Sequence, residues 1–162
     1  MSKDTIEVIA ASNEHIEAIA KIHQMAFVRQ SDSRQWIECN YRAFPRMMLF
    51  CAVKAEQVVG YIMWNQKSGF RQEVVLELEQ LAVDPNEQGH GVGTRLIDRS
   101  LALVRDLLAE NGSRVKHIVV TTRADNQAQQ LYKKTLGAQV EMTIRNLYSS
   151  DEVYMIARNV GG

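Results

Sequence analysis

Apolar residues recur along this chain in two rhythms, every second position or every third and fourth, and the switches between them lay out its elements. Thr5-Ile6-Glu7-Val8-Ile9 alternates and predicts a first strand. A helix follows, capped by Ser12 or Asn13, with Ile16, Ile19, Ala20, His23 and Phe27 on one face. At that spacing His23 reads as a packed histidine rather than a catalytic one. Val28 to Ser33 is polar and breaks the pattern. A second helix runs from about Ser33 to Phe44, where Pro45 stops it, and carries Trp36, Ile37, Tyr41 and Phe44 at helical spacing. Met48 to Val53 and Val58 to Trp64 are β-rich runs joined by Ala55-Glu56-Gln57, which predicts an antiparallel hairpin.

A loop containing Lys67-Ser68-Gly69 leads to a long strand, Glu73 to Val83. The next helix begins by Arg95, turns Leu96, Leu103 and Leu107 inward and ends near Asn111-Gly112. Lys116 to Thr122 is a strand, Asn126 to about Thr135 a short helix, and Ala138 to Arg145 another strand. Asn146 to Ser150 turns the chain, and Val153 to Ala157 closes it as a final strand. Strands early and strand–helix alternation late place the chain in the α/β class with a mixed sheet.

The richest chemistry sits where the long strand gives way to its helix, at Gln88-Gly89-His90-Gly91-Val92-Gly93-Thr94. Glycines there remove side chains where the backbone must approach a ligand. The first N–H groups of a helix have no partner inside it, and the dipole favours negative charge, so the stretch suits a phosphate or pyrophosphate. Two familiar phosphate loops are excluded. A Walker loop needs lysine after its last glycine, and Gly93 is followed by Thr94; a dinucleotide fingerprint counted from Gly89 needs a third glycine where Thr94 stands.

What does match is Q/R-x-x-G-x-G/A, filled by Gln88, Gly91 and Gly93 after a strand ending Leu81-Ala82-Val83-Asp84-Pro85. This resembles the acetyl-CoA signature of the GNAT superfamily of N-acetyltransferases. A second segment, N-x-x-A-x-x-L-Y, is met at Asn126, Ala128, Leu131 and Tyr132 with some slack in the spacing, and Gly137-Ala138 follows one residue later than the family's Gly-Phe. The resemblance covers roughly Glu73 to Arg145. It implies one acetyltransferase domain over 1–162 with the GNAT fold: a central mixed, mostly antiparallel sheet of about seven strands, splayed between the fourth and fifth, flanked by about four helices. It implies acetyl-CoA as cofactor, with CoA as product, and a primary amine as acceptor, either a small molecule or a protein N-terminus.

Roles follow from the same resemblance. The backbone at Leu81, Ala82 and Val83 takes the pantetheine amides, with a bulge splaying this strand from the next, and the N–H near Leu81 faces the thioester oxygen. Gly89 to Thr94, including Val92, hold the pyrophosphate and Gln88 adds a side-chain donor. His90, where many relatives carry Arg or Lys, contributes charge only when protonated. Asn126 caps its helix while meeting a cofactor amide. Glu77 and Glu79, two residues apart and so on one face, are candidate bases, with Glu79 nearer the thioester edge. Tyr132 is the candidate acid for the departing thiolate. Neither Cys39 nor Cys51 has a neighbouring histidine, so direct attack in a ternary complex is expected, with no acyl-enzyme. Residues Val28 to Ser33 and Asn146 to Ser150 shape the acceptor side, and Arg29, Asp32, Arg34 and Tyr148 there form no decisive pattern.

Composition narrows the remaining field. Hydrophobic residues make up 46% and charged ones 23%, ordinary for a soluble globular protein. Net charge is zero, so no overall field argues for nucleic acid or an anionic membrane. No apolar run approaches the roughly 20 residues needed to cross a bilayer, and Met1-Ser2-Lys3-Asp4-Thr5 lacks a secretory segment. Cys39 and Cys51 have no metal-type spacing and read as reduced core residues of a cytoplasmic protein, with no metal site. Family members often dimerise, so a homodimer is an open partner. Two rival functions stand beside the enzyme: a non-catalytic acyl-CoA-binding or sensing module, and a nucleotide-binding domain of another kind.

Overall fold

The protein's structure, a computed structural model, describes residues 4–161. Residues 1–3, part of the stretch expected to lack a leader, lie outside the described residues. The chain forms β1 (Ile6–Ala10), α1 (Ile16–Ala26), α2 (Ser33–Arg42), β2 (Met47–Lys54), β3 (Gln57–Gln66), β4 (Glu73–Val83), α3 (Val92–Glu110), β5 (Arg114–Arg123), α4 (Ala128–Leu136), β6 (Gln139–Ile144) and β7 (Glu152–Ala157). The seven strands form one sheet in the order β1-β2-β3-β4-β5-β7-β6. β4 and β5 run parallel, while β1–β2, β5–β7 and β6–β7 are antiparallel. The expected mixed sheet with four α-helices is therefore present. No helix among the described residues is long and apolar enough to cross a membrane. Two compact units divide the chain: Met1–Trp64 with Gln80–Val104, and Asn65–Glu79 with Arg105–Gly162.

In the first unit, Ile16, Ile19 and Ile22 of α1 and Ile37 of α2 pack in one buried cluster with Leu49 of β2 and Tyr61 of β3. Burying each such side chain contributes about 1.5–3 kcal/mol relative to exposure. Ala55 and Glu56 join β2 to β3 in left-handed conformations (φ 49° and 65°), the tight two-residue turn that matches strand twist. On the strands' other side Trp64 Nε1 donates to Ser100 Oγ of α3 at 2.8 Å.

A polar network crosses this apolar core. Gln80 Oε1 accepts from Trp36 Nε1 and Tyr61 Oη, both at 3.0 Å, and Gln80 Nε2 donates to Gln30 Oε1 at 3.4 Å. Gln30 Oε1 also lies 2.8 Å from His23 Nε2, and His23 Nδ1 lies 2.8 Å from Ser33 Oγ. A carbonyl oxygen only accepts, so the proton sits on Nε2 and Ser33 donates to Nδ1 of the neutral ring. His23 is fully buried, as its spacing predicted.

In the second unit, the β4–β5 register runs from Glu73↔Arg114 to Glu77↔Val119, while β4 itself continues to Val83. The register shift falls between Val74 and Val75, earlier than the bulge expected near Leu81 to Val83. The C-terminal end of α3 closes on Gly112 (φ 71°), with Ser113 N–H donating to Leu108 O at 2.9 Å, and α4 closes on Gly137 (φ 69°).

Several local expectations are corrected. Helix α2 stops at Arg42, and Phe44 is exposed rather than on its buried face, while Asn40 is buried and donates to Trp36 O at 2.8 Å. Cys39 is exposed and only Cys51 is core. Helix α3 begins at Val92, so Gly93 and Thr94 belong to its first turn. Its buried positions are Val92, Leu96, Ile97, Ser100, Val104 and Leu108; Leu103 lies on the outer side and Leu107 at the margin. Ser100 anchors the inward stripe because its hydroxyl meets Trp64, which a hydrophobicity pattern does not register.

Burial lowers the pKa of His23 below the ordinary histidine value of about 6.5, partly offset by the Gln30 bond. The unfolded chain therefore takes up a proton near pH 6.5 that the folded one refuses, so this contribution to stability is whole above that pH and is lost as pH falls below it. His23→Gln, which keeps one donor and one acceptor, should show a smaller fall in melting temperature between pH 7 and pH 5 than the parent. Equal slopes in a calorimetric pH series would refute the assignment.

Candidate cofactor and catalytic site

The first unit carries the candidate anion seat. β4 ends Leu81-Ala82-Val83 with Ala82 buried and its neighbours half-buried. Asp84 N–H donates to Val59 O at 2.8 Å and Asp84 Oδ1 accepts from Asn86 N–H at 2.9 Å, which fixes a short turn over Pro85–Glu87. Lys54 Nζ holds Glu87 at 3.0 Å. Gly89 and Gly91 take φ of 81° and 80°, and a Cβ on either would meet nothing within 4 Å. Backbone conformation, not crowding, demands glycine at both.

The first α3 bond is Arg95 N–H to Gly91 O at 3.1 Å, so the N–H groups of Val92, Gly93 and Thr94 precede the helix's own bonding. The first turn carries no acidic residue to offset the dipole. Those free donors at a positive helix end fit a diphosphate. Gln88 Nε2 donates to Val83 O at 3.3 Å, so one of its two N–H groups is already engaged, and the exposed His90 ring lies 3.3 Å from Glu87 O. Gly60 has no counterpart in the sequence reading: a Cβ there would stand 3.0 Å from both Ala82 O and Leu96 Cδ1, so its absence lets α3 sit close on the strands.

The second unit supplies titratable groups. Burial in β4 alternates strictly, so Glu73, Val75, Glu77 and Glu79 share the more open face. Glu77 accepts from Asn65 Nδ2 at 3.2 Å and pairs with Lys67 at 3.7 Å. Tyr132, on α4, is 6% exposed, and burial alone pushes its phenol up to about 12. Asn126 Oδ1 accepts from Ala128 N–H at 2.9 Å, just ahead of α4, and its Nδ2 donates to Thr122 Oγ1 at 2.9 Å. Asn126 was expected to cap the helix; the N-cap is instead Gln127, without a side-chain cap bond, and Asn126 closes the turn one residue ahead of it. Both ends of its amide serve the β5–α4 corner. In the first unit Cys51 is sealed, its thiol pushed up to about 12 by burial.

Residues 16–138 match the acetyltransferase (GNAT) family, well over half of the 162. The chain belongs to the GNAT family. It is an acetyltransferase, and its cofactor is acetyl-CoA. No curated protein matches it. Among solved structures, Ard1 from Thermoplasma volcanium is 23% identical with a TM-score of 0.77, covering 96% of this chain and 98% of that one. The ribosomal-protein-S18-alanine N-acetyltransferase from Escherichia coli is 18% identical with a TM-score of 0.76, over 96% and 94%. An aminoglycoside 6'-N-acetyltransferase complexed with coenzyme A is 16% identical with a TM-score of 0.75, over 95% and 97%. At these identities the structures share the GNAT fold.

Gly91→Ala should cost about 1–2 kcal/mol, because an L side chain at this φ is strained even with open space around it. A chain that relaxes by leaving the left-handed region also misdirects the amides that follow it. Calorimetric titration should then show weaker acetyl-CoA binding than the parent, by roughly tenfold for each 1.4 kcal/mol forfeited. Unchanged affinity in Gly91→Ala would remove this loop from the anion seat.

Proposed function

We propose that this GNAT acetyltransferase moves the acetyl group of acetyl-CoA to a primary amine of a small molecule or a protein N-terminus, by direct attack in a ternary complex. Acetyl-CoA supplies an acetyl group activated as a thioester. The N–H groups opening α3 hold the diphosphate, and the Leu81 N–H takes the charge that develops on the carbonyl oxygen.

An alkyl ammonium with pKa near 10.4 is neutral about one time in a thousand at pH 7.4, so freeing its lone pair costs about 4 kcal/mol. Glu79 receives that proton directly or through water, with Glu77 as the alternative. Glu79 is preferred because it stands two residues nearer Leu81 along β4, closer to the thioester edge.

The observation that carries the reading is the sealed phenol of Tyr132. Raised to about 12, it keeps its proton throughout the neutral range and is always in its donating form. Burial also makes it a weaker acid than a free phenol. A covalent route through Cys51 is opposed by burial, which holds that thiol protonated at neutral pH.

Tyr132→Phe should lower kcat by about 10²-fold while acetyl-CoA affinity stays within about twofold. In the parent, no alkaline loss of kcat from this phenol should appear until pH nears about 12. Steady-state rates of CoA release across a panel of amines and N-terminal peptides measure both, and undiminished turnover in Tyr132→Phe rules the phenol out as the acid. Acetyl label trapped on Cys39 or Cys51 would replace the ternary complex by an acyl-enzyme.

A further inference from the structure

Two buried side-chain polar atoms among the described residues have no hydrogen-bond partner, Asn65 Oδ1 and Glu152 Oε2. Both are acceptors, and leaving one unmet in a sealed place costs about 1–3 kcal/mol. Both belong to the second unit, and the strand register puts them on one face of its sheet. Glu77 stands opposite Val119, and Val119 opposite Ile156. Opposed residues share a face and alternate residues return to it, so Thr121, Arg123, Tyr154 and Glu152 lie on the same side as Glu77 and Glu79. Asn65 joins them because its amide donates to Glu77 Oε1. Thr122 points the other way, where its hydroxyl meets Asn126.

This face is half-open except at Glu152. Glu77, Glu79, Thr121, Arg123, Tyr154 and Ile156 are half-buried. Glu152 itself is 8% exposed. Arg123 stands directly opposite Glu152, yet its guanidinium is taken by both oxygens of Asp125 at 3.0 and 3.2 Å and by Ser149 Oγ at 3.3 Å. Burial raises the Glu152 carboxyl, the Arg123 charge draws it down and Asp125 raises it again. A sealed carboxylate oxygen whose nearest cation is committed elsewhere is matched by an incoming one. From Glu77 to Glu152 the backbone path is two strands across and four residues along, roughly 16 Å between Cα atoms. The floor between the two acidic ends includes Val119, Thr121, Tyr154 and Ile156, mostly apolar.

We propose that Glu152 is a second anchoring carboxylate, receiving a protonated nitrogen of the acceptor remote from the amine that is acetylated. The preferred acceptor is then an extended aliphatic chain bearing at least two cationic nitrogens, its methylenes on the apolar floor, one nitrogen at Glu77 and Glu79 and another at Glu152. This rests on the amine-acceptor reading above and specifies its substrate class. The second cation can belong to a small polyamine or to a lysine side chain near a peptide N-terminus.

The test compares spermine, hexylamine and a peptide with lysine near its free N-terminus as acceptors for the parent, Glu152→Gln and Glu152→Asp. A lost charge-assisted bond is worth about 1.5–3 kcal/mol. Glu152→Gln should therefore raise the spermine KM by about tenfold or more, leave kcat within about twofold and leave the hexylamine KM unchanged. Glu152→Asp, which keeps the charge, should fall between. Whether the peptide follows spermine or hexylamine tells a protein source of the second cation from a small-molecule one. An unmoved spermine KM, or a KM shift shared equally with hexylamine, overturns the anchor. If the parent acetylates no amine while still binding acetyl-CoA, the acceptor reading fails separately. Calorimetry of spermine with parent and Glu152→Gln then decides: a Kd weakened about tenfold supports the anchor, and equal Kd values overturn it.

Discussion

A primary amide sealed in an apolar interior must find a partner for its donor and its acceptor, and Gln80 is where the first unit meets that condition. Its carbonyl takes two donors, Trp36 and Tyr61, and its nitrogen gives to Gln30, so α2, β3 and the α1–α2 segment all converge on one side chain of β4. Through Gln30 the same constraint reaches His23, whose Nε2 must carry a proton to meet the Gln30 carbonyl, while burial keeps the ring neutral. Removing Gln80 strands the buried Tyr61 hydroxyl, and removing Gln30 strands Nε2 of the buried His23, so the arrangement is specific as well as stabilising. Because the inward side of β4 is pinned here, the outward positions that flank Gln80 in sequence, Glu79 and Leu81, have little freedom in how they are presented.

The anion seat is built by a different economy. Nothing in it depends on a charged side chain: Lys54 and Glu87 are spent on each other, and the first turn of α3 holds no acid. What remains is a positive helix end with unmet N–H groups, entered through two left-handed glycines. Such a seat binds by direction rather than net charge, which agrees with a chain whose formal charge is zero.

Much of this was legible in the sequence because the relevant signals are local. The bounds of β4 were read correctly from Glu73 to Val83, since a strand between a glycine loop and a proline turn leaves little latitude. The family motifs lay in short runs around Gln88 and Tyr132. Misreadings arose where a side chain's partner lies far along the chain. Leu103 looked inward by type, whereas the stripe that is buried passes through Ser100, whose partner Trp64 is 36 residues away. Cys39 is apolar in character but sits on the outward side of α2, donating to Trp36 O. Nothing in the sequence sets Gln80 or Glu152 apart, and only the folded chain shows Gln80 sealed with partners and Glu152 Oε2 sealed without one. Asn126 was legible as a residue that turns the chain into α4, but not as lying one residue before the cap, and its bond to Thr122 needs the strand before it to be in place.

Gly60 lies outside the proposed diphosphate loop, yet it sets how closely the helix that opens there sits on the strands. With Ala82 O and Leu96 Cδ1 each 3.0 Å from where a methyl group would go, the strand and the helix mouth are spaced by a missing carbon. A mutational scan scored on turnover alone would therefore class this buried strand glycine with the cofactor contacts. Anyone seeking to retune the enzyme toward a bulkier acyl carrier has, at that one site, a shim rather than a contact to work with.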